Sequence, residues 1–237
     1  NIAKVDSITG LTVTNTQSAA QIGNLLGKAT DALVTATAMG AADLAAVADN
    51  AAKIFANGVT GTVTVTSALS AAQIDALLGK TAVGATVNVD TTGFSAAQLS
   101  AVEDNIAKVD DINNLGITSS QSAAEITALL GKAAGNDAAV DASGMSTAQI
   151  FAVDGAKATI VAGGITNLTL TSAQTEAVIT SLLADAAVGA TSVSVNASGM
   201  SAAQLVDVSD GIAKIAANGI TGSVALDADG TGITNTV

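Results

Sequence analysis

The sequence predicts an α/β fold, a right-handed parallel β/α solenoid built from alternating short- and long-helix repeat units. Three observations lead there: one segment recurs at near-constant spacing, each copy pairs a β-branched run with a helix-opening sequence, and the apolar residues are almost all aliphatic. Nearly half of the 237 residues are hydrophobic (49%) while aromatics make up 1%. Ala, Val, Ile and Leu at that proportion suit thin layers packed repeatedly rather than one thick globular core.

The recurrence fixes the unit. Thr60 to Lys80 reads TGTVTVTSALSAAQIDALLGK, and its relatives run from Thr9 to Lys28, from Asn114 to Lys132 and from Thr166 to Asp185. The matching residues Ile22, Ile74, Ile126 and Ile179 lie 52 or 53 positions apart. A second motif sits between these copies, ATVNVDTTGFSAAQLSAVEDNIAKV from Ala85 to Val109 and TSVSVNASGMSAAQLVDVSDGIAKI from Thr191 to Ile215. Looser versions occupy 33–54 and 139–160. Residues 1–237 therefore read as a single repeat array with a double βα repeat of about 53 residues. A doubly wound open sheet uses the same alternation, but strict periodicity favours the solenoid.

Within each unit the strand comes first. Thr62-Val63-Thr64-Val65-Thr66 alternates with period two and carries β-branched residues. A turn of small residues follows, then Ser-x-x-Gln or Ser-x-x-Glu, the capping box that opens a helix. Ser18/Gln21, Ser70/Gln73, Ser95/Gln98, Ser122/Glu125, Ser146/Gln149 and Ser201/Gln204 fit in register; Gly40/Asp43 and Thr175/Val178 depart. Inside the helices, Ile74, Leu77 and Leu78, or Leu99, Val102, Ile106 and Val109, recur at three- and four-residue spacing. Gly58, Gly84, Gly164, Gly189 and Gly219 supply the turn back to the next strand. Lys28, Lys80 and Lys132 end the short helices, where a cation meets the negative end of the helix dipole. Lys53, Lys108 and Lys214 stand four residues after Asp49, Asp104 and Asp210, the favourable acid-before-base order.

Composition narrows the function classes. His, Cys, Trp, Tyr, Pro and Arg are absent, which removes the commonest general base, every thiol nucleophile and the bidentate phosphate clamp. No enzyme is expected, and no catalytic residue is assigned. The net charge of −12 and the scattered lysines oppose nucleic-acid binding. No apolar run is long enough to span a membrane, so no membrane span is expected. Asn1-Ile2-Ala3-Lys4-Val5 matches Asn105 to Val109, the last part of a long helix, so the chain reads as a fragment of a longer array.

The outward strand face carries the candidate binding or packing residues. Thr12, Thr14, Thr35, Thr37, Thr62, Thr64, Thr66, Thr169 and Thr171, with Ser192 and Ser194, would form hydroxyl rows across the sheet. Such rows suit a solvated strand face, a flat surface for glycan, mineral or ice, or lateral packing between arrays. Thr-x-Thr arrays resemble those of ice-binding β-solenoids, whose coils are shorter and lack helices. Asp227-Ala228-Asp229-Gly230-Thr231-Gly232 resembles the start of a calcium loop, which would make Asp227 and Asp229 ligands and calcium the one metal to consider. Two glycosylation sequons, at Asn167 and Asn196, do not recur in register and carry no weight.

The near-identical SAAQI/SAAQL, LLGK and DNIAK copies, in a cysteine-free chain rich in Ala, Gly, Thr and Val, resemble the giant repetitive cell-surface proteins of marine cyanobacteria. The resemblance implies an extracellular, cell-surface location and self-association, the partner being the chain itself or neighbouring repeats. It points to a segment of a filament, sheath, surface layer or giant adhesin. The alternative is a binding module that uses the threonine face. The β/α geometry also resembles leucine-rich repeats, but the LxxLxLxxN asparagine-ladder pattern is missing, so no ligand site carries over.

Overall fold

The computed structural model describes residues 5–187 and 193–223. They form an α/β architecture in which eight α-helices alternate with parallel strands. By compactness the chain divides at Asn114/Leu115 into two units. In the first, the order is β1 (Ile8–Thr9), β2 (Thr12–Val13), α1 (Ala19–Leu26), β3 (Ala29–Thr30), β4 (Ala32–Thr35), α2 (Ala41–Asp49), β5 (Ile54–Thr60), β6 (Thr62–Val65), α3 (Ala71–Lys80), β7 (Thr86–Asp90), α4 (Ala96–Asp104) and β8 (Asp111–Asn113). In the second it is β9 (Gly116–Ile117), α5 (Ala123–Leu130), β10 (Ala138–Asp141), α6 (Thr147–Gly155), β11 (Ile160–Thr166), β12 (Leu168–Leu170), α7 (Glu176–Asp185), β13 (Val193–Asn196), α8 (Ala202–Asp210) and β14 (Ile215–Thr221).

The strands group in threes. Apart from the small β1-β3 pair, the sheets are β2-β4-β5, β6-β7-β8, β9-β10-β11 and β12-β13-β14, all parallel. Each sheet comes from one continuous βαβαβ stretch, so four modules repeat with the 52- to 53-residue period of the sequence. Left-handed residues divide the strands between consecutive modules. Gly61 (φ 81°) separates β5 from β6, and Asn167 (φ 53°) separates β11 from β12. A positive φ turns the chain out of the extended region, so the residues before it pair within one sheet and those after it within the next. Between consecutive modules of a unit, a single further bridge joins the strands, Val59 to Thr81 and Ile165 to Ala186.

Alternation places one aliphatic column at the centre of each sheet. The columns are Val13-Val34-Val59, Val65-Val89-Ile112, Ile117-Val140-Ile165 and Leu170-Val195-Ile220. All of these residues are buried except Ile220, in the last described strand. In three modules the third strand is bulged. Ala32 and Val34, two positions apart, pair with Ile54 and Val59, five apart, and the same three-residue excess appears in β11 and β14. Gly58, Gly164 and Gly219 therefore lie inside strands rather than in the predicted turns. Glycine is required there because a Cβ at Gly58 would stand 2.8 Å from the Phe55 carbonyl. Gly189 falls outside the described residues. In the second module the chain from Val109 to Ile112 is shorter and unbulged, and the Asp110 carboxylate accepts from the Val87 N–H at 2.7 Å.

Helix packing follows the sequence pattern. Ile22 and Leu26, Ile74, Leu77 and Leu78, Ile126, Leu129 and Leu130, and Ile179, Leu182 and Leu183 are buried on the helix faces turned to the sheets. Within modules the helices pack as α1 with α2, α3 with α4, α5 with α6 and α7 with α8; α2 also meets α3, and α6 meets α7. The six capping boxes form, and Thr175 caps α7 through the Val178 N–H. The long helices differ from expectation. The α-helices α2, α4, α6 and α8 span nine residues, no longer than α3 or α7 with ten, and a separate 3-10 turn such as Ile106–Lys108 follows. At the break, Asn105 leaves helical geometry (φ −113°, ψ 19°) and donates its side-chain amide back to the Ala101 carbonyl.

Ala38 has φ 61° at the turn position that Gly93, Gly144 and Gly199 fill in the other modules. An L-residue with a Cβ is disfavoured there by about 1 kcal/mol. Ala38→Gly is expected to raise the chemical-denaturation midpoint of the protein, whereas Gly93→Ala should lower it.

Candidate functional site

The outward strand face is built from the residues that alternate with the buried columns. Thr12, Thr35, Thr37, Thr64 and Thr169 are exposed, and Thr14, Thr62, Thr66 and Thr171 are half-buried. The ladder brings Thr35 beside Thr60, Thr62 beside Thr86, and Thr169 beside Ser194. It places other chemistry in the same rows. Thr12 faces Leu33, which is 48% exposed, and Thr64 continues through Asn88 to Asp111. The face within each module is a mixed polar surface of hydroxyls, amides and carboxylates.

The hydroxyls divide into two groups. Those of Thr14 and Thr171 contact the Gln17 and Gln174 side-chain oxygens of their own turns, and that of Thr37 accepts from the Thr62 N–H at 3.1 Å. Those three serve the fold. Thr12, Thr35, Thr62, Thr64, Thr66 and Thr169 sit on the outward side with hydroxyls that find no hydrogen-bond partner among the described residues. Thr60, Thr166 and Thr221, at the ends of the third strands, donate to the Val34, Val140 and Val195 carbonyls at 3.2–3.3 Å and staple the strand to its neighbour.

Acidic residues sit at the exit of the middle strands. Asp90 accepts from the Asn114 side-chain amide at 3.0 Å, and from the N–H and hydroxyl of Thr92. Asp141 repeats the arrangement with Asn167 at 2.8 Å and the Ser143 N–H at 3.1 Å. These donors favour the charged form and hold both carboxyls below the ordinary aspartate value, with the asparagine amide as the leading cause in each. Asn114 and Asn167 are the left-handed residues that follow β8 and β11, so one side chain both ends a strand and ties it to its neighbour.

Asp227, Asp229 and Ser192 lie outside the described residues. Among the described residues no group of three or more His, Cys, Asp or Glu side chains could hold a metal ion. One polar cluster is not repeated among the described residues: Lys157 Nζ donates to Ser181 Oγ, which donates to Asp154 Oδ1. With its proton committed to the carboxylate and its other side held by an ammonium, Ser181 joins α6 to α7.

The glutamines hold the largest role that periodicity did not reveal. In α4, α6 and α8, the capping-box glutamine accepts from its own serine N–H and also reaches back to the preceding turn. Gln98 donates to the Ser67 and Leu69 carbonyls at 3.2 and 2.6 Å. Gln149 donates to those of Ser119 and Gln121 at 3.1 and 2.5 Å, and Gln204 to those of Ser172 and Gln174 at 3.4 and 2.5 Å. A second set closes the turns themselves. The side-chain oxygens of Gln17, Gln121 and Gln174 accept from the Thr14, Thr118 and Thr171 N–H groups at 2.7–2.9 Å. The recurring Gln four residues before the capping-box Gln or Glu was the available signal, as in Gln17/Gln21 and Gln121/Glu125.

The lysines likewise bind across the repeat. Lys108 donates to the Thr81 carbonyl at 2.7 Å and to Asn57 Oδ1 at 3.1 Å, and Lys214 to the Ala186 carbonyl at 2.7 Å. The i,i+4 pairs expected with Asp104 and Asp210 give way to these contacts, because the 3-10 turn rotates the lysines off the helix face that bears the acids. Lys80 ends α3 as expected and donates to the Ile54 carbonyl at 3.0 Å.

No protein-family model matches the chain, and no characterised protein shows detectable similarity to it.

The two aspartate ties predict an acid limb in stability. A carboxyl depressed in the folded state contributes stability above its unfolded value, near 3.8, and loses it as pH falls through the lower folded value. The double variant Asp90→Asn/Asp141→Asn should show a shallower decline of the denaturation midpoint below that pH than the unaltered chain. Parallel curves would rule out these carboxylates as a source of the acid limb.

Proposed function

We propose that this chain is a structural segment of an extracellular filament, sheath, surface layer or giant adhesin, acting by association with copies of itself or with neighbouring repeats. In this reading the modules stack as a right-handed parallel β/α solenoid on the cell surface. The observation that carries it is the use made of the polar side chains. Glutamines, lysines and asparagines with defined partners in successive modules are spent on holding one stretch of repeat to another. The resemblance to repetitive cyanobacterial surface proteins supports the same location and habit.

Electron cryo-microscopy of native material tests this directly. Density running unbroken from one copy into the next is the expected result. Isolated particles that remain monomeric at high concentration, with and without calcium, would remove the self-association reading.

A second reading is favoured by the unengaged hydroxyls of Thr12, Thr35, Thr62, Thr64, Thr66 and Thr169, which leave a polar face open to a glycan, mineral or ice surface. Replacing Thr62 and Thr64 with valine keeps the β-branched shape and should leave the thermal transition nearly unchanged while abolishing retention on a glycan array or ice-growth inhibition. Retained binding would place the site elsewhere.

A further inference from the structure

We propose that the protein is an extensible tether whose βαβαβ modules yield to tension one at a time, the first module before the others. The inference rests on the structural reading above but not on self-association. Its basis is the unequal distribution of bonds inside and between modules.

Inside a module, three strands pair side by side, and the two helices pack on each other. In the second, third and fourth modules the capping-box glutamine of the second helix closes the assembly. Gln98, Gln149 and Gln204 each reach two carbonyls of the turn that precedes the module's first helix. Gln98 and Gln204 are buried, so these bonds are sheltered from competing water. Between the modules of one compact unit, the strand run is interrupted by Gly61 or Asn167 and a single bridge continues it. Side-chain bonds nearer the surface add cross-ties: Gln73 to Asp49 at 2.9 Å, Lys80 to the Ile54 carbonyl, Lys108 to Asn57 at 3.1 Å and the Thr62 N–H to the Thr37 hydroxyl in the first unit, and Lys157 to Ser181 and Ser181 to Asp154 in the second. Helix packing of α2 on α3 and of α6 on α7 couples neighbours without those sheltered clamps.

The first module lacks its clamp. Its second helix opens with Gly40 and carries Asp43 where the other modules have glutamine, and Asp43 Oδ2 accepts only from the Gly40 N–H, at 3.3 Å. An ionised carboxylate has no N–H to offer, so it cannot bind the turn carbonyls that glutamine reaches. The same module carries Ala38 in a left-handed conformation, where the others carry glycine. Two local deficits thus coincide in one module, and load should find it first.

The test is single-molecule extension of the full chain held by handles at its two ends. Events that each release about one module are expected; 53 residues at up to ~3.6 Å each give a contour gain on the order of 190 Å. One event should fall at distinctly lower force than the rest. Gln204→Met, which keeps the side-chain volume and removes the amide, should raise the fourth module's opening rate roughly tenfold at a given load and create a second low-force event. Gly40→Ser/Asp43→Gln installs a clamp in the first module and should move its event up to the level of the others. Release of the whole chain or of half of it in a single step, release in half-module steps, or a low-force event indifferent to both variants would overturn the proposal. A chain that remains monomeric by electron microscopy yet opens module by module would remove self-association alone.

Discussion

Satisfaction of the backbone at the strand-to-helix turn is the constraint on which the rest of this structure depends. Each turn leaves amide and carbonyl groups that neither the sheet nor the helix can pair, and close packing of the next repeat would strand them away from water. Glutamine resolves the difficulty because one amide both accepts and donates. Gln121 accepts from the Thr118 N–H within its turn, and the Gln121 carbonyl then accepts from the Gln149 amide of the following helix. Gln174 and Gln204 repeat the relay. The second helix can therefore approach the turn before the first helix without burying unpaired carbonyls. In the second module Leu69 occupies the turn position that glutamine holds elsewhere, and the Gln98 clamp still reaches its carbonyl.

A second recurring device is the left-handed residue, found after the third strand at Gly61, Asn114 and Asn167 and also inside modules at Asp31, Gly84 and Gly135. A chain of βα coils with uniformly extended strands would form one long ladder. Asp31 divides β3 from β4 within the first module, and Gly61 and Asn167 divide the strand run between modules. Where asparagine fills this position, its side chain adds a bond to the aspartate of the middle strand; where glycine fills it, the Thr37 hydroxyl takes the neighbouring Thr62 N–H. Two solutions serve one geometry. Glycine has the conformational freedom and no side chain to tie, and asparagine tolerates the conformation while its amide secures the strand. Glycine also answers a spatial need at Gly61, where any Cβ would collide with the Thr37 hydroxyl.

Much of this was legible in the residues, for physical reasons that also mark the limit. Strands and helix starts were readable because period-two alternation and the Ser-x-x-Gln box act within a few residues of one another. The burial of Ile22, Ile74, Ile126 and Ile179 followed from their place in the repeat. The bulges in β5, β11 and β14 were not readable, since Ile54-Phe55-Ala56-Asn57-Gly58-Val59 presents the same Asn-Gly signal as an ordinary turn. Nor was the break at Asn105, because Ile106 and Val109 continue the helical spacing across it. Of the outward threonines, Thr12, Thr35, Thr62, Thr64 and Thr169 lie in strands, whereas Thr14, Thr66 and Thr171 fall just past a strand end and Thr37 in the turn that follows β4. Their separation into structural and unengaged hydroxyls depends on partners some 25 residues away, as with Thr37 and Thr62, and no local pattern encodes that.

The scarcity of aromatic residues bears on how these ties share in holding each module together. Side chains of valine, leucine and isoleucine fill only a shallow space between a three-stranded sheet and two short helices, so each module buries a modest core. A thick globular domain could rely on that core alone. Here hydrogen-bonded ties add to that core, and they are directional, discrete and replaceable one at a time. Stability that resides in countable bonds along an axis can be graded from module to module by single substitutions, as Gly40 and Asp43 do in the first module. In the tether proposed above, that grading would let one module open under load while its neighbours retain their clamps.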